Sequence, residues 1–171
     1  MSKETKQTST ARITRGVPEG YTTVTPFIIT RDSDRLLRFV QEAFGGKELA
    51  RVVGEDGAIG HAEVRIGDAI IMMFDAKKDW PDTPAFLRIY VEDCDATYRQ
   101  ALKAGATSVT EMTSMFWGDR VGRVRDPMGN LWWIQTRLED LDPAEMERRA
   151  TQKEYIDALN YVQSAQFFPN K

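Results

Sequence analysis

From Thr25 to Ile29 the chain is apolar and β-branched, which predicts a strand. Asp32 or Ser33 can then cap a helix whose Leu36, Leu37, Val40 and Phe44 fall on one face at helical spacing. Gly45 and Gly46 stop that helix. Three more apolar runs follow, Leu49 to Val53, His61 to Ile66 and Ala69 to Phe74, separated by Gly-containing turns that predict strands. The pattern is one βαβββ unit.

About 60 residues later the order returns. Phe86 to Val91 predicts a strand, Asp93 a cap, Tyr98, Ala101 and Leu102 a helix face, and Gly105 its stop. Ser108 to Thr110, Arg120 to Arg125 and Leu131 to Thr136 supply the later strands. Asp93-Cys94-Asp95 stands where Asp32-Ser33-Asp34 stood, so the halves match in punctuation as well as in order. The repeat predicts an α+β fold of paired βαβββ modules forming a concave mixed sheet, with halves at about residues 23–76 and 84–137 of a domain spanning 20–137. Residues 1–19, rich in Ser, Thr, Lys and Arg with little to bury, read as a disordered leader. From Asp142-Pro143 onward, Met146, Ala150, Tyr155, Ala158, Leu159 and Val162 trace an apolar stripe. Residues 138–171 therefore read as an added C-terminal helix, and its aromatic end (Tyr161, Phe167, Phe168) favours packing against a second subunit.

Composition narrows the class. With 171 residues, 42% hydrophobic and 29% charged, the chain can bury one domain-sized core or two half-domains, and no more. A net charge of −3 gives no basic footprint for nucleic acid. Arg120, Arg123 and Arg125 alternate between strand faces, with Asp119 and Asp126 near enough to neutralise two of them. No apolar run is long enough to span a bilayer. Cys94 is the lone cysteine, which rules out an internal disulfide and suggests a cytoplasmic compartment. At a helix start its thiol can be activated, but its place on the apolar side favours a buried, inert one.

The duplication, together with the ending from Phe116-Trp117-Gly118-Asp119-Arg120 to Arg125-Asp126-Pro127-Met128-Gly129-Asn130-Leu131-Trp132-Trp133, resembles the vicinal oxygen chelate superfamily. That is the glyoxalase, bleomycin-resistance and dioxygenase group, and the ending is most like its PhnB-like branch. Asp-Pro-x-Gly-Asn suits a tight hairpin because Pro127 fixes φ while Gly129 and Asn130 tolerate left-handed geometry. The resemblance covers roughly residues 22–137 and implies a small-molecule pocket and a homodimer, but leaves the reaction open, since the group contains lyases, epimerases, dioxygenases and proteins that sequester antibiotics. Its metalloenzymes place ligands on the first and fourth strands of each half. The matching positions are Thr25, Met72, Phe86 and Trp133, none a usual ligand for a divalent ion, so neither metal nor other cofactor is expected.

Side-chain direction follows from the hairpin at Gly67-Asp68. A two-residue turn pairs Ile66 with Ala69, Val64 with Ile71 and Ala62 with Met73 on one apolar side, and places Arg65 opposite Ile70, Glu63 opposite Met72 and His61 opposite Phe74. Since the resemblance turns Met72 inward, His61 and Glu63 turn inward too. Parity gives an aromatic pocket lined by Phe27, His61, Glu63, Met72, Phe74, Phe86, Arg88, Tyr90, Arg123 and Trp133, with Phe116 and Trp117 as a candidate lid. His61 and Glu63 can serve as general base and acid, or His61 can be a hydrogen-bonded structural residue. Arg88 and Arg123 suit a carboxylate or phosphate, or an internal ion pair with Glu63. Trp133 and Phe86 offer a stacking platform, or fill a core. Three functions follow: sequestration of an aromatic or amphipathic compound; a metal-independent lyase or isomerase using His61 and Glu63; and, should the register be shifted, a metal-dependent lyase or dioxygenase.

Overall fold

A computed structural model describes residues 16–168; the first fifteen residues of the expected leader lie outside them. Each half forms a four-stranded mixed sheet. The first contains β1 (Phe27–Thr30), β2 (Lys47–Val53), β3 (Ile59–Ile66) and β4 (Ala69–Asp75), ordered β1-β4-β3-β2, with α1 (Ser33–Phe44) between β1 and β2. The second contains β5 (Phe86–Tyr90), β6 (Thr107–Ser114), β7 (Asp119–Arg125) and β8 (Leu131–Arg137), ordered β5-β8-β7-β6, with α2 (Cys94–Lys103) in the matching place. The paired βαβββ architecture read from the repeat is thus what the chain adopts.

The repeated punctuation works as its chemistry requires. Asp32 Oδ1 accepts from the Arg35 amide, and Asp93 Oδ1 accepts from the Ala96 amide, each at 2.8 Å. Gly45 takes φ +65° to end α1. The register of the Gly67-Asp68 hairpin agrees as well, with Ile66 paired to Ala69, Val64 to Ile71 and Glu63 to Met72; in the second half Arg125 pairs with Leu131.

One face of each sheet carries Ile28, Ala62, Val64, Ile71 and Met73, or Val124, Trp132 and Ile134, all buried beneath the helices. The helices also meet each other. Phe39 and Phe44 of α1 lie 6.5 and 4.7 Å from the Trp132 ring, and Gln100 of α2 donates to the Glu42 carbonyl. A single core therefore lies between the halves, and the opposite faces of the two sheets point away from it. Trp132 is held there by Asp126, which is 3% exposed. Its carboxylate accepts from the Met128 and Asn130 amides (2.8 and 2.9 Å), Asn130 Nδ2 (2.9 Å) and Trp132 Nε1 (2.9 Å). Burial still pushes the Asp126 carboxyl above the ordinary range.

The C-terminal extension is helical as expected, in two helices where the sequence suggested one. It comprises α3 (Pro143–Ala150) and α4 (Lys153–Gln163). Thr151 Oγ1 turns back onto the Arg148 carbonyl at 2.9 Å, a local bond that competes with helix continuation. Packing is on the chain itself. Ala158, Leu159 and Val162 lie against Met115 and Val121, and the Tyr161 hydroxyl accepts from the Glu111 amide at 2.8 Å. The non-helical face of the second sheet, which alternation leaves open, supplies this seat. Cys94 is buried and unpaired. No helix among the described residues is long and apolar enough to cross a membrane.

Candidate functional site

Strand alternation sends the candidate residues to the faces turned away from the shared core, in two clusters. The first sits on β1, β3 and β4. Phe27, Met72 and Glu63 form one cross-strand row, since Phe27 pairs with Met72 and Met72 with Glu63. Phe27 lies 6.4 Å from the His61 ring and 5.4 Å from Phe74, whose other edge meets Trp80 at 6.0 Å. His61 Nε2 is 2.8 Å from Glu63 Oε1, and the Tyr21 hydroxyl donates to Glu63 Oε2 at 2.5 Å. These two bonds, Tyr21 first, hold the Glu63 carboxyl below its ordinary range, so it faces His61 as an ionised acceptor. Nε2 then carries the proton, and the carboxylate orients the ring. An ionised Glu63 orients His61 and can accept a proton from it. Tyr21 escaped the sequence reading because it lies in a polar stretch before β1, with no periodicity to mark it.

The same hydrogen bond raises the Tyr21 pKa. Glu63 titrates lower in the folded chain, so its stabilisation is complete above the unfolded carboxylate range and is lost as pH falls through the lowered value. Tyr21 titrates higher, so the bond is complete below the ordinary tyrosine value and is lost as pH rises through the raised one. The stability difference between the wild type and Tyr21→Phe is expected to be widest between about pH 5 and 9 and to shrink on either side. Urea unfolding across pH measures it; an unchanged difference from about pH 5 to about pH 2 would refute the assignment.

The second cluster sits on β5, β7 and β8. Trp133 is flanked by Arg88 and Arg123, whose guanidinium carbons lie 4.6 and 4.1 Å from its ring centre. The ion pair with Glu63 weighed for these arginines does not form, because Glu63 is taken by Tyr21 and His61. Arg123 is 7% exposed and donates to the Val162 carbonyl at 2.6 Å. Burial, with the charge of Arg88 beside it, lowers the Arg123 pKa. Phe86 meets Phe167 and Phe168 edge-on at 6.4 and 5.8 Å, and Tyr90 is exposed at the rim. Trp117 lies in the β6–β7 turn with Phe116, where its Nε1 donates to Asp119 Oδ2 at 3.0 Å and its ring packs on the Met115, Val121 and Val162 cluster. The aspartates expected to neutralise the arginine stripe have other partners. Arg120 is bound by Asp95, Asp119 pairs with Arg137, and Asp126 serves the hairpin.

Among the described residues, no hydrogen bond or ring contact joins the two clusters. A cleft of about 860 Å³ runs between the halves, walled by Phe44, Ile66, Leu87, Ile89 and Trp132; of the candidate residues it takes in Arg88 and Tyr90. The four family ligand positions do not suit a metal. Thr25 precedes β1 and donates to the Thr22 carbonyl, while Met72, Phe86 and Trp133 bring a thioether and two aromatic rings. No group of three or more His, Cys, Asp or Glu side chains among the described residues could hold an ion.

The sequence profile of the glyoxalase/bleomycin resistance protein/dioxygenase superfamily matches residues 21–134. The chain belongs to that superfamily. An uncharacterized protein of Mycobacterium bovis is 33% identical over 135 residues, covering 72% of this chain and 89% of its own. TioX from Micromonospora sp. ML1 is a structural relative at TM-score 0.59 and 26% identity, covering 68% of this chain and 99% of that one. The fosfomycin resistance protein FosX from Mesorhizobium loti shares the fold at TM-score 0.52 and 15% identity, over 67% of this chain and 91% of that one. Superfamily membership accounts for the paired modules, and it leaves the chemistry to the residues described above.

Proposed function

We propose that this protein binds and sequesters a small aromatic or amphipathic compound on the second sheet, using Phe86, Arg88, Tyr90, Arg123 and Trp133, while Phe27, Met72 and Phe74 form a separate apolar patch on the first. The reading rests on Trp133, a large flat ring with the Arg88 and Arg123 guanidinium groups close to it, neither of which has a carboxylate partner among the described residues. Such a platform stacks planar ligands and orients them by charge. The Asp126 to Asn130 ending favours the PhnB-like branch, and the lone buried Cys94 a cytoplasmic location. A second copy of the chain is the expected partner, because Val24, Phe27, Leu49, Val52 and Val53 leave apolar surface exposed on the first half.

Titration with planar aromatic compounds is expected to quench tryptophan emission, and Trp133→Phe to remove part of the change. Sedimentation of the same sample should give a dimer mass. An emission that no aromatic compound alters would end the binding reading.

A metal-independent lyase or isomerase is the second reading, supported by the Tyr21–Glu63–His61 chain of hydrogen bonds. It requires that some screened substrate be turned over and that His61→Ala abolish turnover while binding persists. Turnover that survives His61→Ala removes it.

A further inference from the structure

We propose that the non-helical face of the second sheet is a site for an aromatic anion, and that the chain's own C-terminal segment occupies it at rest. This rests on the binding reading above and names the ligand's chemistry and its competitor. A single row crosses all four strands: Arg88 pairs with Trp133, Trp133 with Arg123, and Arg123 with Thr110. Directly opposed residues share a face, so two guanidinium groups, an indole and a hydroxyl form one strip. Within it Arg123 Nε, Trp133 Nε1 and Thr110 Oγ1 are all buried without a hydrogen-bond partner. A strip with three orphaned donors and two adjacent positive charges is costly unless something negative meets it.

What meets it is the backbone of the C-terminal segment. The Val162 carbonyl, in the last turn of α4 where free carbonyls carry the negative end of the helix dipole, accepts from Arg123 at 2.6 Å. Arg125, on the same face, reaches the Phe167 carbonyl at 2.7 Å and the Gln166 carbonyl at 3.4 Å. The Phe167 ring lies 6.4 Å from Trp133 and 5.3 Å from the Arg123 guanidinium carbon. The segment thus presents a ring with partly negative oxygens beside it. An aromatic carboxylate presents the same two features with a full charge, and charge-assisted bonds are the stronger ones.

The occupant is also easy to displace. Beyond α4 the segment has no regular structure and Phe168 is 68% exposed, so Phe167 with the Gln166 and Phe167 carbonyls can lift away while the Val162 carbonyl stays with the seated α4. At the β6 end of the strip a cavity of about 530 Å³, between β6 and Ser164–Gln166, reaches Thr110 and Arg125.

The test is calorimetric titration of the full chain with 2-naphthoate and with its neutral analogue 2-naphthamide. Phe167→Ala is expected to tighten naphthoate binding roughly fivefold by raising the open fraction. Arg88→Gln is expected to weaken naphthoate about tenfold and to leave naphthamide within about twofold. The Arg88 side chain meets the Trp133 ring and has no hydrogen bond to another described residue, so this variant reads the charge even if Arg123→Gln fails to fold. Unchanged or weaker naphthoate binding in Phe167→Ala would make Phe167 a wall and overturn self-occupation. Equal affinity for acid and amide, indifferent to Arg88→Gln, would overturn the anion assignment while the binding reading stands. No heat with either compound in wild type or Phe167→Ala would remove both.

Discussion

Replacing Asp126 with alanine is expected to destabilise the fold by about 4 kcal/mol. The carboxylate accepts four hydrogen bonds inside a site only 3% exposed, two from backbone amides and two from the side chains of Asn130 and Trp132. Truncation leaves all four donors buried and unpaired, and each costs about 1–3 kcal/mol before water or relaxation recovers part of it. The damage spreads, because Asn130 Oδ1 accepts from the Ala85 amide just ahead of β5, and Trp132 closes the core between the halves against Phe39 and Phe44. Asp126→Asn should fall between: its oxygen can serve one pair of donors, while its amide group faces the other pair. Urea unfolding followed by tryptophan emission measures both. A loss below about 1 kcal/mol for the alanine variant would show that the network is not what holds Trp132.

Gly118→Ala is expected to cost about 3 kcal/mol. Gly118 has φ +90°, and a β-carbon there would stand 2.3 Å from the Glu139 carbonyl oxygen, a backbone atom that cannot swing aside. Gly129 provides the control. It has φ +94° but nothing within 4 Å of the place a β-carbon would take, so Gly129→Ala carries only the left-handed penalty of about 1–2 kcal/mol. The Leu138 and Glu139 amides both donate to the Gly118 carbonyl, at 2.9 and 3.1 Å, so the clash also shifts the point from which α3 and α4 depart. Faster tryptic cleavage in α3 and α4 should accompany the loss of stability. Equal stabilities for the two alanine variants would mean that the carbonyl is not in the way.

The first prediction falls on the motif that was plainest in the sequence, and the reason is local. Asp126, Pro127, Gly129 and Asn130 act within a few residues of one another, so their spacing exposes the hairpin. The Gly67-Asp68 turn set the β3–β4 register for the same reason: once a two-residue turn pairs Ile66 with Ala69, period-two alternation assigns every side chain on both strands. Tyr21 and Glu63 lie in one hydrogen bond across 42 positions, and Arg123 and Val162 across 39, with no period or turn between them to signal the contact.

The division of labour for this chain follows that difference in range. Caps, glycine stops, turn residues and alternation, all settled between near neighbours, were enough to determine the two βαβββ modules, the β3–β4 register and which of its side chains share a face. Only the tertiary structure decided how the faces are used. Because α1 and α2 bury Phe39, Phe44 and Trp132 in one common core, the His61 and Trp133 clusters end on outward faces of separate sheets. Because β6 and β7 leave an apolar seat at Met115 and Val121, α4 settles there and carries Phe167 onto the arginine-flanked tryptophan.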